Sequence, residues 1–300
     1  MNGVENQTQK KPSGAAQKII AGAVMAGVAL ALMRLNTMSL YVYDALGFVC
    51  AAYASYEMAK ALGAIGYKVI KTPIIAAAIA TYPLAVLLEF GAAGFFGAIL
   101  SAFIIAAVIY VVKAEVSFKD FIATVFVLIY PFLFLSLGYM INHAGGSFLL
   151  LLTLLIALVT DTFAYFTGKA AGLIFKGKLK KLIPRVSPNK TVVGAAGGIA
   201  GCLAVIVLFW HLVESGAVSL GFTLQSVIDV EDGLVLPAYL LTALFAGVIS
   251  QFGDLFASRI KRECGLKDFG NLVPGHGGII DRLDAVMFVF AAVYTIIVIF

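Results

Sequence analysis

The chain has 300 residues, 62% of them hydrophobic and only 12% charged, with a formal net charge of +5 at pH 7. That composition excludes a soluble globular domain and a disordered chain, and three cysteines are too few for a disulfide-stapled scaffold. What remains is an all-α, polytopic helical integral membrane protein.

Residues 1–16 (MNGVENQTQKKPSGAA) are polar and are expected to form a disordered tail. Apolar stretches then recur, each long enough to cross a hydrocarbon core of about 30 Å at 1.5 Å per residue. They place nine spans at about 17–35, 38–60, 72–90, 92–112, 120–141, 147–167, 192–213, 236–256 and 282–300. The first has no convincing small-residue cleavage site after it and is read as a retained span. Residues 17–141 form an N-terminal set of transmembrane helices. Residues 142–300 form a C-terminal region with two long polar loops, 168–191 and 257–281.

With the N-terminus in the cytoplasm, every Lys and Arg except Arg34 falls in the tail or in a cytoplasmic loop, as the positive-inside rule requires. The opposite loop at 214–235 holds Glu214, Asp229, Glu231 and Asp232 and no base. The net charge is therefore a one-sided belt suited to anionic lipid headgroups, and no nucleic-acid partner is expected. The run Lys176–Arg185 reads as a solvated, lipid-facing patch.

In the sixth span, Asp161 lies near the cytoplasmic end, where an ionised side chain is costly unless it is used. It opens the stretch Asp161-Thr162-Phe163-Ala164-Tyr165. Further on come Ser187-Pro188-Asn189-Lys190-Thr191 and then Gly194, Gly197 and Gly198. The residues leave two readings of 187–191 open. Thr191 or Ser187 caps the next helix, or Lys190 and its polar neighbours meet a triphosphate.

The densest polar block spans 254–284. It mixes Asp254, Glu263, Asp268, Asp281 and Asp284 with Arg259, Lys261, Arg262, Lys267 and Arg282, and it contains His276. Asp281 and Asp284 are three apart and share one helix face. With Asp254 they make three acids at one membrane boundary, whose repulsion a divalent ion resolves. Gly275, Gly277 and Gly278 allow main-chain N–H groups to approach an anion at the start of the last helix. Cys50 and Cys202 fall in apolar stretches, and Cys264 has no partner at zinc-ligand spacing.

At this point the chain resembles the phosphatidate cytidylyltransferases (CDP-diacylglycerol synthases). Ser258-Arg259-Ile260-Lys261-Arg262, Lys267-Asp268 and Pro274-Gly275-His276-Gly277-Gly278-Ile279-Ile280-Asp281-Arg282-Leu283-Asp284 match the C-terminal signature of that family, and the stretches at 161 and 187 resemble its upstream motifs. Before about residue 155 only hydropathy matches. Asn189 stands where the family often has Lys, and Val192-Val193-Gly194 where an acid commonly follows.

The resemblance implies an enzyme of the inner (plasma) membrane, its site facing the cytoplasm, that joins CTP to phosphatidic acid and releases pyrophosphate. It implies Mg²⁺ held by Asp254, Asp281 and Asp284, with Lys261, Arg262 and His276 in the catalytic set. Asp161, Ser187, Lys190, Thr191, Arg259, Lys267, Gly277, Gly278 and Arg282 then bind substrate. A second, monovalent cation and a homodimer are compatible with this reading. Two rivals stand beside it. One is a lipid or polyprenol kinase that uses CTP and needs a base to activate a hydroxyl. The other is an ion-coupled secondary transporter, which would be expected to repeat the 254–284 pattern in a second half.

Overall fold

The computed structural model describes residues 27, 31, 34–36, 39–176, 179–228, 230–272 and 277–300. The expected tail at 1–16, most of the first span and His276 lie outside the described residues. The fold is almost entirely helical. In chain order the helices are α1 (Leu40–Ala64), α2 (Lys71–Tyr82, continued by a π turn Pro83–Leu87), α3 (Gly91–Val112) and α4 (Phe118–Val127). A second π segment, Leu128–Leu133, leads into α5 (Phe134–Ile174). A hairpin of β1 (Lys181–Ile183) and β2 (Ser187–Thr191) precedes α6 (Val192–Glu214). A short α7 (Leu224–Val227), a 3-10 turn (Asp232–Leu234), α8 (Val235–Glu263) and α9 (Ile280–Ile299) complete the chain.

Five described helical stretches are long and apolar enough to cross a membrane: Gly91–Val112, Phe118–Ile174, Val192–Glu214, Asp232–Glu263 and Ile280–Ile299. The 57-residue stretch would measure about 85 Å if straight, far more than one crossing. It is interrupted twice. Tyr130, at φ −120° and ψ 109°, takes the extended conformation imposed on a residue before proline. Gly145 and Gly146 break α5, with Gly146 at φ 52°. The expected spans at 120–141 and 147–167 correspond to this interrupted stretch, and the one at 38–60 to α1.

Both polar loops are more structured than the sequence suggested. α5 continues through Gly168 to Ile174, the hairpin pairs Lys181 with Thr191 and Ile183 with Ser187, and α8 runs on to Glu263. Strands of three and five residues carrying lysines and a proline leave no alternating apolar pattern to read.

Two apolar clusters hold the helices together. One packs α5 against α6, α8 and α9 around Phe148, Ile156, Ile206, Tyr239 and Val289. The other joins α1 (Ala51, Ala54, Met58) and the π segment (Leu128, Phe132) to Ala257, Phe269, Ile280 and Met287, so the first helices share a core with the last polar loop. At the other end of α1, buried Asp44 accepts from Asn142 Nδ2 at 2.8 Å and pairs with His143 Nε2 at 2.8 Å, tying α1 to α5.

Candidate active site

Small residues bring α6 against α5. A Cβ added at Gly198 would lie 2.6 Å from the Thr160 carbonyl, and one at Gly201 would overlap the Phe163 ring. Such close approach is what small residues permit between membrane helices. It sets the start of α6 beside the last turns of α5. Thr191 Oγ1 accepts from Gly194 N at 3.0 Å and so caps α6, satisfying one of the free N–H groups of its first turn. The capping alternative is realised for Thr191, and it is compatible with the other: the residue before the cap, Lys190, reaches across to form an ion pair with Asp254 on α8.

Lys190 and Asp254 line a cavity of about 500 Å³ together with Asp161, Lys169, Lys181, Asn189 and Thr191. That volume suits a nucleotide-sized ligand. Their side chains are 25% and 24% exposed, so the pair is reachable from the cavity. Lys181 comes from the run read as a lipid-facing patch; the hairpin turns it onto the cavity wall instead. Gln251 Nε2 donates to the Ala195 carbonyl at 3.0 Å and fixes α8 against α6 on the same wall.

One residue before Asp254, a Cβ on Gly253 would lie 2.7 Å from the Asp284 carbonyl oxygen. α8 and α9 therefore cross closely at this point, which brings Asp254 and Asp284 together. The field of Asp254 acts on both Asp161 and Asp284, with Lys190 and Lys261 as the nearby opposing charges. Asp284 is buried and accepts from its neighbour's amide, Ala285 N, at 2.8 Å.

Asp281, grouped in the sequence with Asp254 and Asp284, is bonded to Lys261 and to the loop that precedes α9. Its Oδ1 accepts from Lys261 Nζ at 2.9 Å, and its Oδ2 accepts from Phe269 N at 2.7 Å and Gly278 N at 3.0 Å. A carboxylate in the first helical turn thus satisfies amides of the loop that leads into the helix. The loop amides recruit Asp281, and sharing a helix face with Asp284 does not override them. Among the described residues no three His, Cys, Asp or Glu side chains converge on one metal position. Asp254 and Asp284, with Asp161 close by, are carboxylates, the oxygen-donor type that Mg²⁺ prefers.

The other expected residues divide clearly. Lys261 belongs to the Asp281 pair rather than to the cavity. Arg259 points outward and pairs with Glu263 at 2.7 Å one turn on, both more than half exposed. Arg262, Lys267 and Arg282 are exposed. Ser187 sits opposite Ile183 in the hairpin and is not part of the cavity wall. Gly277 has φ +88°, a turn only glycine adopts readily. The Gly278 N–H, expected to face an anion, donates to Asp281.

One residue went unread in the sequence. Glu57 on α1 accepts from Ile279 N at 3.2 Å and Ile280 N at 3.0 Å, 222 and 223 positions away. The available signal was an acid deep in a largely apolar helix, which costs too much to be idle.

A model of the cytidylyltransferase family matches residues 16–300. The chain belongs to that family. It is 38% identical over 143 residues to the phosphatidate cytidylyltransferase of Bacillus subtilis, covering 47% of this chain and 44% of that one. It is 33% identical over 179 residues to the phosphatidate cytidylyltransferase of Thermotoga maritima, covering 60% of each. A third relative, the phosphatidate cytidylyltransferase of Haemophilus influenzae, is 36% identical over 144 residues, which is 47% of this chain and 42% of the relative. The chain thus spans about half the length of the curated relatives it matches.

Proposed function

We propose that this cytidylyltransferase-family protein acts on CTP and phosphatidic acid, giving CDP-diacylglycerol and pyrophosphate. The observation that carries the reading is the cavity in which Lys169, Lys181 and Lys190 face Asp161 and Asp254, with Asp284 behind. The names of the relatives supply the substrates. In the reaction an oxygen of the lipid phosphate forms a bond to the α-phosphorus of CTP while the bond to the β-phosphate oxygen breaks. Both the attacking and the leaving group are anionic, so the site's task is neutralising charge and holding the groups in line. Lys190 exchanges Asp254 for the triphosphate, and Lys169 and Lys181 hold its outer charges. Asp254 and Asp284 would hold Mg²⁺, which supplies the charge that offsets the phosphates.

An apolar groove of about 290 Å³ accommodates the lipid chains in this reading. Phe126, Tyr130, Phe256 and Phe288 line it. Phe288 lies one turn past Asp284, and Tyr130 of the same groove stands in the field of Asp284 and Asp254, so the groove adjoins the acids. The reading includes nine spans with a cytoplasmic N-terminus and a site facing the cytoplasm from the inner (plasma) membrane, supported by the one-sided distribution of Lys and Arg along the sequence.

Incubating the purified protein with labelled CTP and phosphatidate tests the reaction. CDP-diacylglycerol and pyrophosphate are expected. Phosphorylated lipid with CDP would show a kinase, and no product of either kind would favour a transporter. Orientation is tested with single cysteines in a background lacking Cys50, Cys202 and Cys264. Asn271→Cys, at an exposed position of the last polar loop, should react with impermeant thiol reagents only from the cytoplasmic side and Ser215→Cys only from outside; the reverse pattern would overturn the topology.

A further inference from the structure

We propose that Glu57 is a positioning residue for nucleotidyl transfer, a carboxylate from the N-terminal helices that fixes where α9 begins and therefore where Asp284 stands. The proposal rests on the phosphatidate cytidylyltransferase reading above.

Glu57 is 2% exposed and lies near the end of α1. The first N–H groups of a helix lack partners within it, and the helix dipole favours a negative charge there. Glu57 supplies both needs for α9 by accepting from Ile279 N and Ile280 N. The fit is close. A Cβ added at Gly270 or at Gly278 would overlap Glu57 Oε1, so two passes of backbone run directly against the carboxylate.

Asp281 holds the same backbone through its bonds from Phe269 N and Gly278 N. The loop is therefore gripped between two carboxylates, one from α9 itself and one from α1. These repel each other, and Lys60 and Lys261 offset them from either side. Neither carboxylate lines the lysine cavity. What they determine is register. Asp284 lies in the next turn of α9, and a shift of the helix start by one residue would rotate it by about 100° away from Asp254. α1 lies outside every motif that carries the family resemblance, yet its acid sets the geometry of the acid that does.

Five variants and two measurements test this. Turnover per folded enzyme and amide hydrogen exchange across 277–283 are measured for Glu57→Ala, Glu57→Gln and Ser55→Ala. Ser55 is the control, because its hydroxyl donates only within α1, to the Ala51 carbonyl at 2.7 Å. Glu57→Ala should lower kcat roughly 10–100-fold, the effect of a small displacement in the site, with the KM for CTP little changed and faster exchange at Ile279 and Ile280. Glu57→Gln should fall between, since one carbonyl oxygen still accepts. Ser55→Ala should match the parent in both measurements. Gly278→Ala should also lower kcat, and the double variant with Glu57→Ala should lose no more than Glu57→Ala alone.

Faster exchange with unchanged turnover would reduce Glu57 to a brace and overturn the proposal. Lower turnover with unchanged exchange would overturn it too, because the effect would then bypass α9. If the parent enzyme makes no CDP-lipid, the functional reading fails, and the exchange data alone decide whether Glu57 holds the start of α9.

Discussion

Lys190–Asp254 and Lys261–Asp281 join the same two residue types near the C-terminal end of α8, yet their surroundings differ at every point. The first pair bridges two elements across an open cavity, and among the described residues Asp254 accepts one further side-chain hydrogen bond, from Ser258 Oγ at 3.2 Å. The second is closed in, 14% and 3% exposed, and Asp281 also accepts two backbone N–H groups. An ion pair with exposed, lightly bonded partners can trade one of them for a ligand at small cost. A buried pair whose acceptor capacity is filled cannot, because any exchange leaves a desolvated charge or amide behind. On the proposed reading, the difference separates a site that works by changing partners from a scaffold that works by keeping them.

Substituting the acids strains this contrast most. Asp254→Asn and Asp284→Asn should each lower turnover on the order of 10²–10³-fold, as losing a preorganised charge in a transfer site does. The amount and thermal midpoint of detergent-purified protein should stay near the parent's. A large fall in midpoint for Asp254→Asn would place it with the scaffold. Asp281→Asn should do the reverse in kind, losing turnover together with about 3–5 kcal/mol of stability, the scale for breaking a buried pair. Normal stability with abolished turnover would return Asp281 to the metal set.

A smaller effect is expected from Lys190→Ala, which should raise the KM for CTP roughly 10–100-fold, the range for a charged hydrogen bond, with less change for phosphatidate. Lys190→Gln should not restore it, because charge is the contribution. Unaltered CTP kinetics would show that the cavity lysines are not equivalent to a triphosphate site. The smallest effect belongs to the exposed pair Arg259–Glu263. Glu263→Ala should cost about 0.5 kcal/mol or less and leave kinetics unchanged, as for exposed i,i+4 pairs. A substantial loss of activity there would mean that the outer face of α8 meets substrate.

The parts of this molecule legible in the sequence are those that local chemistry determines. Hydropathy marked the long helices, Thr191 was one of two residues read as a cap for α6, and the cost of a charge in a membrane singled out Asp161 and Asp254. The signature around Asp281 and Asp284 pointed to the right family, since such motifs survive in short stretches. The different partners of those two acids did not show, because they depend on where the amides of Phe269 and Gly278 lie. The hairpin was hidden for a different reason: its strands are too short and polar to carry a period, and they are held by the α5–α6 packing beside them. Glu57 was the hardest to read. Its partners are more than two hundred residues away, and no pattern within α1 refers to them.

α1 is fastened by an acid at each end, Asp44 to the α5 segment before the glycine break and Glu57 to the start of α9. Recombination is where this matters in practice. A fragment beginning at residue 142 would contain every recognisable motif and still lack the carboxylate that Ile279 and Ile280 need. A chimera that joins this C-terminal half to a relative's first helices would inherit whatever that relative places opposite α9. Successful exchanges should be those in which the incoming helix brings an acid at the position of Glu57, so that compatibility between halves depends in part on a side chain that motif comparison would pass over.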